Sequence, residues 1–317
     1  MHTEGLPLAE LHLHLDGSLS PEFVLTQAEK DGIALPADTA QELLPFLTVG
    51  DSCRSLNDYL EKFDLPLSVL QTEDALEQSV YDLLGRLSKE NLNYVEIRFA
   101  PQLHLQKGLS QQAVVEATLS GLKSALRDYP IDGKLILCCM RMADNLEANL
   151  ETVEVAKHYI GRGVAALDLA GAEALFPTKN FEELFRKALR YDIPFTIHAG
   201  EADGPQSIRD ALSFGAARIG HGVRCTEDPA LVEELVKRQI PLEVCPISNA
   251  QTKACPELSH HPILKLLECG VCVTVNTDNR TVSNTTLKKE FDALRRELQM
   301  TDIQKEKLLQ NAWAARF

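Results

Sequence analysis

The chain has 317 residues, 44% of them hydrophobic and 25% charged, with 32 basic against 46 acidic side chains and a formal charge of −14. These proportions belong to a folded globular protein, and the acidic balance gives no electrostatic footprint for nucleic acid or an anionic membrane. No apolar run reaches membrane-spanning length, and Met1-His2-Thr3-Glu4 lacks the charged-then-apolar pattern of a signal peptide, so a cytoplasmic location is expected. With no Ser/Gly/Pro-rich linker to divide it, residues 1–317 are expected to form one domain. The eight cysteines have no zinc-ribbon spacing and are expected as reduced thiols that behave as small buried hydrophobes.

In chain order, the first strand candidate is "LAELHLHLDGSL", residues 8 to 19. Side chains alternate across a strand, so His12 and His14 share one face while Leu11, Leu13 and Leu15 share the other. Two imidazoles on one face fit either a hydrogen-bonded core pair or two ligands of one metal. A long stretch follows, from about 20 to 91, too long for one crossover helix and expected as a helical insertion over the strand ends. Then come "NYVEIRFAP" (93–101), "GKLILCCMR" (133–141), "GVAALDLAG" (163–171), "IPFTIHAGE" (193–201), "ARIGHGV" (217–223), "IPLEVCP" (240–246) and "GVCVTVNTD" (270–278). Segments such as "SQQAVVEATLSGLKSALRDY" lie between them, with apolar positions at three- and four-residue intervals. Eight strands alternating with helices predict an α/β fold, a (β/α)8 TIM barrel with a helical lid inserted after the first strand.

Alternation within the strands carries the functional signal. Val273 and Val275 share one face of the last strand while Thr274, Asn276 and Asp278 share the other; Leu242 and Val244 likewise oppose Glu243 and Cys245. Parallel strands covered on both sides normally read as continuous apolar runs, so polar positions near their ends mark something other than packing. Active sites of this architecture lie at the C-terminal strand ends, where His14, Asp168, His198, His221 and Asp278 are expected. His12, His14, His198 and Asp278 together supply three imidazoles and a carboxylate, a set that suits one Zn2+ per chain with a position open for water. Glu201, three residues after His198 in "HAGE", follows an apolar strand, and a carboxyl in such a pocket is favoured in its protonated form. It is the candidate proton shuttle.

"HLHLDGS", "LDLAG", "HAGE", "RIGHGV" and "NTDN", in this order and spacing, resemble the adenosine deaminase family of metal-dependent hydrolases. The resemblance implies a (β/α)8 barrel with a helical lid, zinc, and hydrolytic deamination of adenosine and 2′-deoxyadenosine to inosine and ammonia in purine salvage. It implies metal binding by His12, His14, His198 and Asp278, proton transfer by Glu201, and orientation and activation of the attacking water by His221. It places the Gly171 N–H against N3 of the base and Asp16 near the ribose hydroxyls, with His14 and Asn279 among the substrate-binding residues. It also suggests that "SLNDYLEKFDL", where Leu56, Tyr59, Leu60 and Phe63 fall at helical spacing, closes over the nucleoside.

Two positions depart from the family pattern. Asn279 stands where many members have an Asp that contacts N7; an amide donates to N7 as it stands, whereas a carboxylate must first take up a proton. Ala172, in "LAGAE", stands where an acidic residue is common, which removes one supporting contact. The competing substrate reading is another aminopurine, such as adenine or an N6-modified adenosine. A non-catalytic binding protein would lack a ligand or the shuttle, and every one of them is present. The zinc cytidine-deaminase pattern requires P-C-x-x-C, which does not occur.

Overall fold

A computed structural model describes residues 5–50 and 53–317. Met1–Glu4, the stretch that lacks a signal-peptide pattern, lies outside the described residues. The strands are β1 (Ala9–His14), β2 (Tyr94–Phe99), β3 (Asp132–Arg141), β4 (Val164–Gly171), β5 (Thr196–Ala199), β6 (Arg218–His221), β7 (Leu242–Val244) and β8 (Val273–Val275). Neighbouring strands pair in parallel, in the orders β1-β2-β3-β4 and β5-β6-β7-β8. Parallel neighbours need a crossover, supplied by helices such as Gln111–Asp128, Leu146–Tyr159, Pro205–Phe214 and Pro229–Arg238.

The single closed barrel expected from the strand count is here two four-stranded sheets whose edges meet at isolated parallel bridges, Leu167 with Phe195 and Leu13 with Asp278. The reason is local. Strands β5 to β8 are only three or four residues long, and the chain beyond β8 turns at Asp278, whose φ of 61° is left-handed. Contact with β1 is therefore made past the end of β8: His14 N–H donates to the Asp278 carbonyl at 2.7 Å, and Asp278 N–H to the His12 carbonyl at 2.9 Å. These two bonds bring the "NTD" turn beside the two histidines of the opening strand.

The first connection folds as α1 (Pro21–Asp31), α2 (Ala40–Leu47), α3 (Leu56–Leu60), α4 (Asp64–Val69) and α5 (Glu73–Lys89). Ser20 and Thr72 cap α1 and α5 by accepting from Phe23 N–H and Ala75 N–H. Helix α5 buries Leu76, Val80, Leu83, Leu84 and Leu87, a three- and four-residue spacing, and packs beside the Gln111–Asp128 helix. Each such buried leucine or valine contributes roughly 1.5–3 kcal/mol. Helix α5 thus takes the place of an ordinary crossover helix, while α3 and α4 lie over the strand ends.

Two further expectations are corrected. Asp168 lies inside β4, followed by Leu169, Ala170 and Gly171, and its side chain points into the buried interior instead of the strand mouth. All eight cysteines are free, but Cys269 is exposed and Cys272 half-buried. Cys269 follows the Ile263–Glu268 helix on a turn that faces solvent, so the C-x-x-C formed by Cys269 and Cys272 flanks β8 without joining the core.

Candidate active site

His12 and His14 project from one face of β1, and β5 supplies His198. The left-handed turn after β8 swings Asp278 against all three. His14 Nε2 and His198 Nε2 lie 3.2 Å apart, and Asp278 Oδ1 is 3.4 Å from both His12 Nε2 and His14 Nε2. One ligand atom from each of the four residues falls within 4.8 Å of every other. His12 Nε2 is buried with no hydrogen-bond partner among the described residues, a condition that costs stability unless something else meets its lone pair. Three nitrogens and one carboxylate oxygen converging on an unsatisfied imidazole fit a divalent cation.

Buried charges hold these imidazoles in the ligating tautomer. His12 Nδ1 donates to Glu243 Oε2 at 2.9 Å and His198 Nδ1 to Asp168 Oδ2 at 2.9 Å, so each ring turns an unprotonated Nε2 toward the cluster. Arg98 bridges the two acceptors, donating to Glu243 at 2.7 Å and Asp168 at 3.0 Å, and Arg218 donates to the other oxygen of Glu243 at 2.7 Å. Burial alone would raise the Glu243 carboxyl, but the Arg98 and Arg218 guanidiniums hold it well below the usual range. Ser248 Oγ donates to Asp278 Oδ2 at 2.6 Å, leaving Oδ1 for the cluster.

Glu201 and His221 face this group, with His221 Nε2 3.5 Å from Glu201 Oε2. Burial, reinforced by the charges of Asp278 and Glu173, pushes the Glu201 carboxyl well above its ordinary pKa. Its Oε1 has no partner among the described residues. The loop that carries Glu201 is fixed by Glu173. That carboxylate accepts from Gly200 N–H at 2.7 Å, Glu201 N–H at 3.0 Å, Ala202 N–H at 2.7 Å, Asp203 N–H at 3.1 Å and Ser207 Oγ at 2.5 Å.

His14, Glu201, His221 and Asp278 open onto a cavity of about 390 Å³, within the usual size of small-molecule sites. His12, fully buried, lies beneath its floor. Asp16, Gly171 and Asn279 line it, as do Leu56, Tyr59, Leu60 and Phe63. Burial raises the Asp16 carboxyl to about 6. Gly171 has φ 107°, a conformation that side chains disfavour. Gly17 is required for a different reason: a Cβ there would overlap the Asn279 amide oxygen. Tyr59 reaches from α3 to the loop after β8, its hydroxyl 2.6 Å from Ser283 Oγ. All the residues singled out from the sequence as site candidates are thus in or directly under one cavity.

Sequence reasoning gave no role to Arg98, Glu173, Glu243, Ser248 or Asn249, and expected Asp168 at the strand mouth without assigning it one. For three of them the signal was present: Arg98, Asp168 and Glu243 are charges inside apolar strands, and such residues are fully buried only when paired. Nothing in the sequence marked Glu173 or Asn249.

A raised carboxyl facing a metal-competent cluster in a cavity of this size is the equipment of a hydrolase. The sequence profile described as adenosine deaminase matches residues 7–317. The adenosine deaminase of Haemophilus ducreyi is 49% identical over 312 residues, covering 97% of this chain and 91% of that protein. That of Clostridium botulinum (strain Okra) is 44% identical over 299 residues, covering 93% and 88%. Among solved structures, adenine deaminase from Arthrobacter aurescens superposes with a TM-score of 0.89 at 30% identity, covering 99% of this chain and 94% of that one. Arabidopsis N6-mAMP deaminase gives a TM-score of 0.85 at 26% identity, covering 98% and 93%. The chain belongs to the adenosine deaminase family, hydrolases that act on C–N bonds.

Proposed function

We propose that this protein deaminates adenosine and 2′-deoxyadenosine hydrolytically, to inosine or deoxyinosine and ammonia, with one zinc ion held by His12, His14, His198 and Asp278. The observation that carries the reading is the raised Glu201 carboxyl facing the three-imidazole, one-carboxylate cluster across the cavity. The eight strands act in this reading as one barrel with α3 and α4 as its lid. Zinc bound in the cluster would lower the pKa of a water toward neutrality, making it a nucleophile for C6 of the purine.

The chain's own groups do the rest. Protonated Glu201 donates to N1 as attack places charge there; the carboxylate so formed takes up the proton of the hydroxyl added at C6 and passes it to the amine, which leaves as ammonia when the C6–N bond breaks. His221, 3.5 Å from Glu201, holds the attacking water on line. The Gly171 N–H meets N3, the Asn279 amide donates to N7, and His14 and Asp16 lie toward the ribose. Burial of the site excludes bulk water, which strengthens each of these contacts.

A nucleoside is favoured over a nucleotide by the chemistry of the cavity wall. Apart from the histidines, Arg141 is the one cation among the described lining residues. Its guanidinium already donates to Phe176 O at 2.7 Å, Thr178 Oγ1 at 2.8 Å and His198 O at 2.6 Å. Both terminal nitrogens of that guanidinium are thus engaged, and only its buried Nε lacks a partner, so the described lining residues offer a phosphate no free terminal guanidinium nitrogen and no ammonium. The test is ammonia release from adenosine, 2′-deoxyadenosine, adenine, N6-methyladenosine and AMP. Adenosine and its 2′-deoxy form should turn over fastest; a preference for adenine or AMP would overturn the assignment.

A further inference from the structure

Behind His221, on the side away from the cavity, runs a buried chain of hydrogen bonds whose direction is set by two backbone N–H groups. Ile263 N–H donates to His261 Nδ1 at 3.2 Å, and His261 Nε2 lies 3.3 Å from Asn249 Oδ1. Cys245 N–H also points at Asn249 Oδ1, at 3.4 Å, and Asn249 Nδ2 lies 3.0 Å from His221 Nδ1. All three side chains are buried, with 4% or less of their surface exposed.

A backbone N–H can only donate. Ile263 therefore makes His261 Nδ1 an acceptor, and burial, which depresses the His261 pKa to about 3, keeps that ring neutral with its one proton on Nε2. Asn249 Oδ1 receives that proton's hydrogen bond together with the one from Cys245. Turning the amide over would set its NH2 against two donors in the interior, so the orientation is fixed. The NH2 group then donates to His221 Nδ1, and the His221 proton must sit on Nε2.

We propose that Asn249 and His261 are positioning residues that hold His221 in the Nε2–H tautomer, so that His221 meets the reacting water as a hydrogen-bond donor and not as a base. Taken with the deamination reading above, on which its catalytic meaning rests, this leaves Glu201 as the group that moves protons. His221 fixes the water by donating to its oxygen. The arrangement resembles other active sites in that the group behind an imidazole selects which nitrogen carries the proton.

The test is long-range 1H–15N correlation of the zinc-loaded enzyme labelled at histidine nitrogen, which distinguishes protonated from unprotonated ring nitrogens without turnover. Wild type should show His221 Nε2 protonated and Nδ1 bare. In Asn249→Asp both carboxylate oxygens only accept, so the His221 proton should move to Nδ1. The rate constant kcat should fall on the order of 10²-fold or more, with KM within about threefold. His261→Gln, which retains a donor toward Asn249, should keep both the tautomer and most of kcat, whereas His261→Phe should give a mixture of tautomers and a partial loss. A wild-type His221 protonated on Nδ1, or an Asn249→Asp enzyme that loses activity with its tautomer unchanged, overturns the proposal. Should Asn249→Asp fail to fold, the wild-type spectrum and the His261 pair decide. Because the spectrum needs no substrate, a protein that fails to deaminate adenosine refutes the proposed function separately from the hydrogen-bond assignment.

Discussion

Replacing Glu173 by alanine isolates the support of the Glu201 loop from the metal cluster. The Glu173 carboxylate accepts from the N–H groups of Gly200, Glu201, Ala202 and Asp203 and from Ser207 Oγ. In the variant, the Ala202 and Asp203 groups can turn to water, since both residues are half-buried, but Gly200 and Glu201 are buried and their N–H groups are left unpaired. At roughly 1–3 kcal/mol for each orphaned buried donor, the loss is about 2–6 kcal/mol. A chain of this size loses on the order of 2 °C in Tm per kcal/mol, so calorimetry should show melting about 4–12 °C lower. Glu201 should drift from its place over the cavity, and a displacement near 1 Å costs on the order of 10²-fold in kcat. Metal content, read by elemental analysis, should stay at the wild-type level because Glu173 does not touch the cluster. An E173A protein with wild-type Tm and kcat would show that the loop holds itself, and the reasoning would be wrong.

Chelation should abolish turnover and zinc should restore it, and His12→Ala should lower metal content together with rate; full activity in protein shown to be metal-free would end the mechanism. Glu201→Gln should keep its metal and lose on the order of 10²- to 10⁴-fold in kcat, because an amide cannot cycle a proton to N1, and near-normal turnover would remove Glu201 from that role. Glu290, buried behind the site, accepts from Ile247 N–H at 3.0 Å and Thr285 Oγ1 at 2.8 Å, and burial raises its carboxyl from 4.5 to about 8. Its raised folded pKa means that the native state holds this proton where the unfolded chain releases it, so its contribution is complete below pH ~4.5 and lost as pH rises through about 8. Glu290→Gln should flatten that decline by a few kcal/mol between pH ~5 and ~8, and parallel wild-type and mutant stability curves would contradict it. If Asn279 donates to N7, 7-deazaadenosine should lose roughly 5- to 150-fold in kcat/KM, the cost of about 1–3 kcal/mol for a buried donor left facing C–H; equal turnover of the two nucleosides would make Asn279 a turn residue only.

The parts of the site that were legible in the sequence are those whose signal is periodic or local. Two histidines separated by one residue share a strand face whatever the rest of the chain does, and Asp278 betrays itself by following an apolar strand. What supports them was not legible, because it depends on pairing between distant segments. Arg98 reaches Glu243 across 145 residues, and Glu243 meets His12 across 231. Each was visible as a charge in an apolar run, but its partner could be named only once the strands were placed side by side. The first connection shows the same limit: the spacing of apolar residues in α5 gives its buried face, but only packing shows that this face sits against the sheet as a crossover helix does. Closure of the eight strands was over-read because alternation counts strands and says little about how long each one runs.

Backbone strain and buried charge explain why these segments meet where they do. His221 and Asp278 both adopt left-handed φ, 60° and 61°, at a cost of order 1–3 kcal/mol each for residues that bear a Cβ. Neither conformation would persist alone. Asp278 is held by backbone bonds to His12 and His14 and by Ser248 on its side chain, and His221 is held at Nδ1 by Asn249. Beneath them, Arg98 and Arg218 sit among Asp168, Glu243 and Glu96, each guanidinium contacting two carboxylates. Removing Arg98 would leave Asp168 buried without its guanidinium, and His198, which donates to it, would lose the anchor of its tautomer. The charges in the floor therefore orient the lone pairs above them. That is why residues with no access to the cavity are as necessary to the cluster as the four that form it.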